Sequence, residues 1–330
     1  MIGACSLGLA AQGCGDGAGP TESSYPRDNE LRMNQLQLKG THNSYHIAQD
    51  PPAVPELAYG FEPLEVQLES QGVRKFELDT NYDEQTGLIE VFHILIVDEG
   101  TQCRLFADCL RSIEAWSSEH PGHQPIFIQI EPKGRFPSWL GESFFEAFEA
   151  QIYSAFTRAR IVTPDDVQGD AATLREAVTT RGWPTLGQAR GKVVFFINDS
   201  GDFREAYTRG QTSLGGRLMF AEADADDPYA AVRILNDAVQ DRQEIEESVR
   251  AGFIVRTRDG GLDAAQSNDR SVLDAALAGG AQIISTDYPA QSADTDYFVE
   301  IPGGTPSRCN PLTAPDSCRS EDIESPARLR

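Results

Sequence analysis

From residue 34 onward, short apolar runs alternate with amphipathic stretches. The runs MNQLQLKG ending at Gly40, GVRKFELD ending at Asp79, GLIEVFHI ending at Ile94 and PIFIQIE ending at Glu131 predict the first four strands of a sheet. KVVFFIN ending at Asn198, RLMFAEA ending at Ala223, GFIVRT ending at Thr257 and AQIIST ending at Thr286 predict four more. Most are β-branched and aromatic with little alternation, the pattern of strands covered on both faces. Helical periodicity fills most of the gaps. Over residues 105–117 it puts Leu105, Cys109, Ile113 and Trp116 on one face, and residues 139–155, 229–238 and 270–277 read similarly. Eight strands with intervening helices predict an α/β fold, an irregular (β/α)8 TIM-type barrel in a single domain. The irregularity lies between Asp79 and Leu88, where the chain is too short for a helical crossover of about a dozen residues and a loop must join the strands. Residues 154–186 are a long mixed insertion without an assigned place.

The barrel is expected over residues 34–311, with a signal-like N-terminus and flexible tether over 1–33 and a tail over 312–330. No run approaches the roughly 18 apolar residues of a membrane span, so no transmembrane segment is expected. The net charge of −23, from 51 acidic and 28 basic side chains, argues against binding nucleic acid. It also repels anionic lipid headgroups, an effect that a bound cation would offset locally. The six cysteines include two pairs close in sequence, Cys103 with Cys109 and Cys309 with Cys318. Neither pair has zinc-type spacing, and short-loop disulfides in an oxidising compartment fit better than buried thiols. The N-terminal stretch MIGACSLGLAAQG, followed by Cys14 and a Gly/Pro/Ser-rich tether, is similar to the end of a lipoprotein signal with Cys14 as the acylated residue. The expected location is extracytoplasmic, secreted or held at a membrane by that anchor.

The residues that carry chemistry fall at the ends of the first four expected strands. His42 and Asn43 follow the first in GTHNSYH, Glu77 and Asp79 end the second in FELD, His93 ends the third in EVFHI, and Glu131 ends the fourth in IQIEPK. Strand C-termini surround one mouth of a barrel, so these segments should converge there. Glu77 and Asp79, two apart on a strand, point to the same side and repel unless a cation lies between them. With Asn43 and Glu131 they make a hard, all-oxygen set that suits Ca²⁺ first and Mg²⁺ second. The alternative for any one acid pair is a partner Arg or solvent. His42 and His93 beside such a site can serve as one neutral and one protonated imidazole, a base and an acid. Lys133, Arg256 and Arg258, also at strand ends, are candidates for substrate contacts, with salt bridges to the nearby acids as the equal alternative. His120 and His123 read as loop residues, and His46 as a supporting or exposed side chain.

GTHNSYH, ELD, the strand-end His93 and IEPK together resemble the X-type catalytic core of phosphoinositide phospholipases C, and in particular the compact bacterial calcium-dependent branch. DCLRSIEAWSSEHPGHQPIF, TLREAVTTRGWPTLGQARGK, STDYP and PGGTPSRCNP extend the likeness over residues 34–311. The resemblance implies a distorted triosephosphate-isomerase-type barrel, bound Ca²⁺ on Asn43, Glu77, Asp79 and Glu131, and a phospholipid substrate at a membrane surface. It also implies His42 as general base on the inositol 2-hydroxyl and His93 as general acid on the diacylglycerol oxygen. The loop after His93 departs from the pattern: ILIVDEGTQC stands where a Pro and a more polar run are expected. Glycerophosphodiester phosphodiesterases and sphingomyelinase-D-like enzymes share the paired histidines and the E-x-D site, but they usually carry Arg-Gly after the first His, where this chain has Asn43-Ser44. A binding domain that had lost catalysis would be expected to lack one of His42, His93, Glu77 or Asp79, and all four are present.

Overall fold

The computed structural model describes residues 25–133, 141–293, 295–303 and 306–330. Among them the strands are β1 Leu36–Thr41, β2 Val73–Tyr82, β3 Ile89–Val91, β4 Ile126–Pro132, β5 Val193–Ile197, β6 Phe220–Ala221, β7 Val232–Ile234, β8 Ile254–Arg258, β9 Ile283–Thr286 and β10 Ser307–Cys309. Parallel pairing runs in the order β6-β5-β4-β2-β1-β9-β8-β7. A further parallel bridge, Glu222 to Val232, brings the two ends of that path together, so the barrel is nearly closed. Phe76 and Leu78 of β2 lie in register with Ile128 and Ile130 of β4 and join Leu64, Leu68, Leu110 and Ile113 of the flanking helices in the main apolar cluster. The alternate positions of β2 point inward, where Lys75 and Glu77 reach Ser285 of β9 and Arg256 of β8.

Two expected elements change identity. The run ending at Ile94 supplies no barrel strand: β3 pairs antiparallel with β2, in register Thr80 to Val91 and Tyr82 to Ile89. The short link after Asp79 dictates this, because a chain that cannot cross over must turn back as a hairpin. The missing barrel strand is β7, inside residues 229–238, which were expected to be helical. Tyr229, Ala230, Ala231 and Val232 are all buried, and an apolar run this short has no periodicity to separate a covered strand from a buried helix. Residues 154–186 lead from the helix Glu142–Tyr153 to β5 through short turns at Arg158–Arg160, Pro164–Gln168 and Leu174–Glu176, and they bury Trp183 completely.

Other details follow from local chemistry. The helix Phe106–Glu119 buries Phe106, Cys109, Leu110, Ile113 and Trp116, the stripe that its periodicity requires. The helix Arg242–Ala251 stops at Gly252, whose φ of 107° is left-handed. Gly40 in β1 has no alternative: a Cβ there would lie 2.6 Å from the Lys75 side chain that crosses the barrel interior. Both disulfides, Cys103–Cys109 and Cys309–Cys318, are formed. The flanking segments pack onto the barrel. Tyr25 and Leu31 are buried, and Glu324 is fully buried with both oxygens 3.0 Å from Nε of Arg74 on β2. Cys14 and the rest of residues 1–24 lie outside the described residues. No helix among the described residues is long and apolar enough to cross a membrane.

Candidate active site

β2 and β4 build the acidic part of the site. Asp79 stands beside Glu131 in their parallel register, and Glu77 lies one inward position below Asp79. Oxygens of Glu77, Asp79 and Glu131 all lie within 4.8 Å of one another. Glu77 is buried, which alone would raise its pKa. Lys75 Nζ at 2.7 Å and Arg256 Nη2 at 2.9 Å outweigh burial and, with His42, hold it well below the usual value. Asp79 is the opposite case. Burial drives its pKa well above the usual value, with Lys133 opposing and Glu131 and Glu77 adding to the rise. Neither Asp79 oxygen has a well-aligned hydrogen bond among the described residues, and the Lys133 ammonium lies 3.1 Å from Oδ2 and opposes its charge. A fully buried carboxylate without a hydrogen bond is rare, because desolvation is then uncompensated. The orphaned oxygens beside two further carboxylates fit a hard divalent cation with oxygen ligands. Asn43, buried just past β1, holds a left-handed φ of 46°, which Asn tolerates better than most residues, and its Nδ2 donates to Tyr59 Oη at 2.9 Å.

Two histidines flank this cluster, and a carboxylate orients each. His42 Nδ1 lies 2.8 Å from Oδ1 of Asp287, directly after β9. A carboxylate accepts only, so Nδ1 carries a proton toward Asp287, while Nε2 faces Glu77 Oε1 at 3.8 Å. Burial would raise the Asp287 pKa, but His42 and Arg258 outweigh it and hold it below the usual value. His93 Nδ1 lies 2.8 Å from Oδ2 of Asp98. Asp98 also accepts from Nε2 of the fully buried His46 at 2.9 Å, and His46 Nδ1 reaches the Tyr59 carbonyl at 2.8 Å. Burial lowers the His93 pKa and Asp98 opposes it. His42, His93, Tyr59, Arg258 and Asp287 line one cavity of about 630 Å³.

The three basic candidates separate. Arg256 is buried beneath the site and committed to Glu77 and to Asn236. Lys133 is paired with Asp79 and Glu131 at the rim. Arg258 faces the cavity, held by Asp287 Oδ2 at 2.9 Å, with its guanidinium 3.4 Å from His42 Nδ1. Sequence reasoning did not single out Asp287, Asp98 or Tyr59. Asp287 follows a predicted strand and could have been suspected. Asp98 and Tyr59 sit in loops without periodicity, and only folding brings them to the histidines. His120 and His123 are not in this site: both are buried near Trp116, and His123 Nε2 faces Ser117 Oγ at 2.6 Å.

The chain has relatives among known proteins. The family model described as "Phosphoinositide phospholipase C, Ca2+-dependent" matches residues 31–89 and 88–311. A search of curated proteins found no match. Among solved structures, the chain is similar to a calcium-dependent phosphoinositol-specific phospholipase C from a Gram-negative Pseudomonas species. The identity is 19% and the TM-score 0.62, with 86% of this chain and 97% of that chain covered. A myo-inositol complex of the Pseudomonas protein matches at 18% identity and TM-score 0.62 over 88% of this chain and 100% of that one. A Ca²⁺-dependent phosphatidylinositol-specific phospholipase C from Streptomyces antibioticus matches at 19% identity and TM-score 0.58 over 78% and 95%. At these identities the structural likeness establishes the shared barrel.

Proposed function

This chain belongs to the Ca²⁺-dependent phosphoinositide phospholipase C family, and from that premise we propose how its residues cleave the phosphodiester of a phosphatidylinositol-type lipid. The observation that carries the proposal is the pairing of two carboxylate-oriented histidines on one cavity beside an all-oxygen acidic cluster. His42 accepts the proton of the inositol 2-hydroxyl at Nε2, its Nδ1–H held by Asp287. His93 delivers a proton from Nε2 to the departing diacylglycerol oxygen while Asp98 holds Nδ1. Its burial-lowered pKa makes it a stronger acid than a free imidazolium. Arg258 and Lys133 are assigned to the phosphate and inositol oxygens. Arg256 is assigned below them, holding Glu77 ionised from beneath the substrate. Glu77, Asp79 and Glu131, with Asn43, are assigned to hold Ca²⁺. When bound, the ion would supply Lewis-acid stabilisation of phosphoryl charge and make the attacking hydroxyl more acidic. The products are diacylglycerol and a cyclic inositol phosphate.

The catalytic unit in this proposal is residues 34–311, acting at a membrane surface. The two disulfides support a location outside the cytoplasm, and acylation at Cys14 would tether it there. Mass spectrometry of products from phosphatidylinositol, with Ca²⁺ and with chelator, tests the reading. A cyclic inositol phosphate should appear only with the cation, restored by Ca²⁺ better than by Mg²⁺. Full activity in chelator removes the metal assignment, and free glycerophosphate products would indicate glycerophosphodiester phosphodiesterase chemistry.

A further inference from the structure

Tyr59 sits in the long connection from β1 to the helix Leu64–Glu69, yet it is buried and touches three parts of the site. Its hydroxyl oxygen accepts Asn43 Nδ2 at 2.9 Å. Its ring packs on the His46 ring with centroids 4.6 Å apart, and its carbonyl accepts His46 Nδ1 at 2.8 Å. The hydroxyl also lies 3.5 Å from His42 Nδ1, but that nitrogen directs its proton to Asp287 at 2.8 Å, so the firm partner of the hydroxyl is Asn43. The residue is held from its other side as well. Phe61 N donates to the His46 carbonyl at 2.9 Å, and the Phe61 ring meets the Tyr59 ring edge-on at 5.5 Å. Tyr59 therefore keeps its place through its ring and backbone, and its hydroxyl is left to act on Asn43.

We propose that Tyr59 is a positioning residue for the cation: its hydroxyl holds the Asn43 amide by Nδ2 and so presents Oδ1 as a ligand. The inference rests on the proposed function, in which Asn43 helps to hold Ca²⁺. The backbone of Asn43 is already fixed. Its φ is 46°, and the next residue is tied to β2 twice, Ser44 N donating to the Glu77 carbonyl at 3.0 Å and Ser44 Oγ accepting from Glu77 N at 2.7 Å. Asn43 thus stands beside the acid cluster, and rotation of its amide is the freedom that remains. An amide carries its donor and its acceptor on one carbon, so anchoring Nδ2 on one side turns Oδ1 to the other. Tyr59 is the amide's partner among the described residues, and Oδ1 receives no hydrogen bond there. A flipped amide would aim N–H donors at the ion, whereas calcium takes oxygen ligands. A phenol suits the task because it accepts the N–H without adding charge to Glu77, Asp79 and Glu131.

The test is Tyr59→Phe in the full chain, which removes the hydroxyl and keeps the ring and the carbonyl that hold His46. Titration calorimetry with Ca²⁺ alone, without substrate, reads the effect. The Kd for Ca²⁺ should rise about 10–100-fold, the range for losing a group that orients a metal ligand. The Ca²⁺ concentration for half-maximal hydrolysis of phosphatidylinositol should rise by the same factor. A double-variant cycle separates positioning from general damage. In an Asn43→Gly background, chosen because Gly accepts left-handed backbone, Tyr59→Phe should weaken Ca²⁺ binding no further. Thermal melting without Ca²⁺ checks that each variant is folded. An unchanged Kd in folded Tyr59→Phe overturns the inference and leaves the proposed function standing. An equal loss in the Asn43→Gly background also overturns it, because the hydroxyl would then act by another route. A parent protein that binds no Ca²⁺, or an Asn43→Gly variant that binds it as tightly as the parent, removes the ligand assignment and the inference together.

Discussion

The two histidines assigned to acid–base catalysis are alike in chemistry and differ in their surroundings. His42 stands between Asp287 and Glu77 with Arg258 alongside, whereas His93 has Asp98 on Nδ1 and is desolvated. The assigned roles should therefore separate in kinetics. His42→Ala and His93→Ala should each reduce kcat by about 10²–10⁴-fold on the lipid while leaving the fold intact. An aryl inositol phosphate has a good leaving group and needs little protonation. On it the His93→Ala defect should shrink and the His42→Ala defect should persist, read as kcat/KM ratios for both variants on both substrates. Equal shrinkage would remove the base and acid assignments. Glu77 shows the same dependence on surroundings. A buried carboxylate is stable as an anion only with its partners in place, and loss of one partner of such a pair typically costs about 3–5 kcal/mol. Arg256 and Lys75 thus serve the site from below, without needing to touch substrate.

At the scale of elements, the hairpin that replaces a barrel strand is the most consequential departure. By turning back on β2, β3 delivers His93 to the mouth and leaves the following residues free to project as the loop closed by Ile94 and Asp98. Gly100 anchors that loop through close packing. A Cβ at this position would lie 2.1 Å from the Ile47 carbonyl oxygen, a backbone atom that cannot swing aside. Gly100→Ala should displace the loop base, shift Asp98 away from His93 and lower kcat by at least ten-fold, with a loss of only about 1–3 kcal/mol in global stability as expected for overpacking. Urea unfolding alongside kinetics checks this, and wild-type turnover in the variant would show that the loop base does not position His93.

For the whole molecule, the covalent constraints lie at two distinct places. Cys103–Cys109 ties the chain at the start of the helix Phe106–Glu119, close behind the active-site loop, and Cys309–Cys318 ties β10 to the C-terminal segment. That segment inserts Glu324 beneath β2 against Arg74, a buried ion pair far in sequence. The closed loops are short, with separations of 6 and 9 residues, so each bridge should contribute about 2–3 kcal/mol by constraining the unfolded chain. Reduction of both should lower the melting temperature by roughly 10 °C, measured by calorimetry with and without reductant. An unchanged melting curve would mean that the bridges do not constrain the unfolded ensemble.

Strand positions, the inward alternation of β2 and the residues around the mouth were legible in the sequence because each is a local property. Lys75, Glu77 and Asp79 share a side by the two-residue period, and β-branched runs mark the covered strands. The sequence also supplied both short-range cysteine pairs and the apolar run after His93. The tertiary structure alone decided which runs close the barrel, since β3 and β7 are short segments whose pairing depends on distant partners. It decided too which carboxylate serves which histidine. Asp287 reaches His42 across 245 residues of chain, and Asp98 reaches both His93 and His46 through loop closure. Such contacts come from the packing of loops and strand ends, and no periodicity in the chain encodes them.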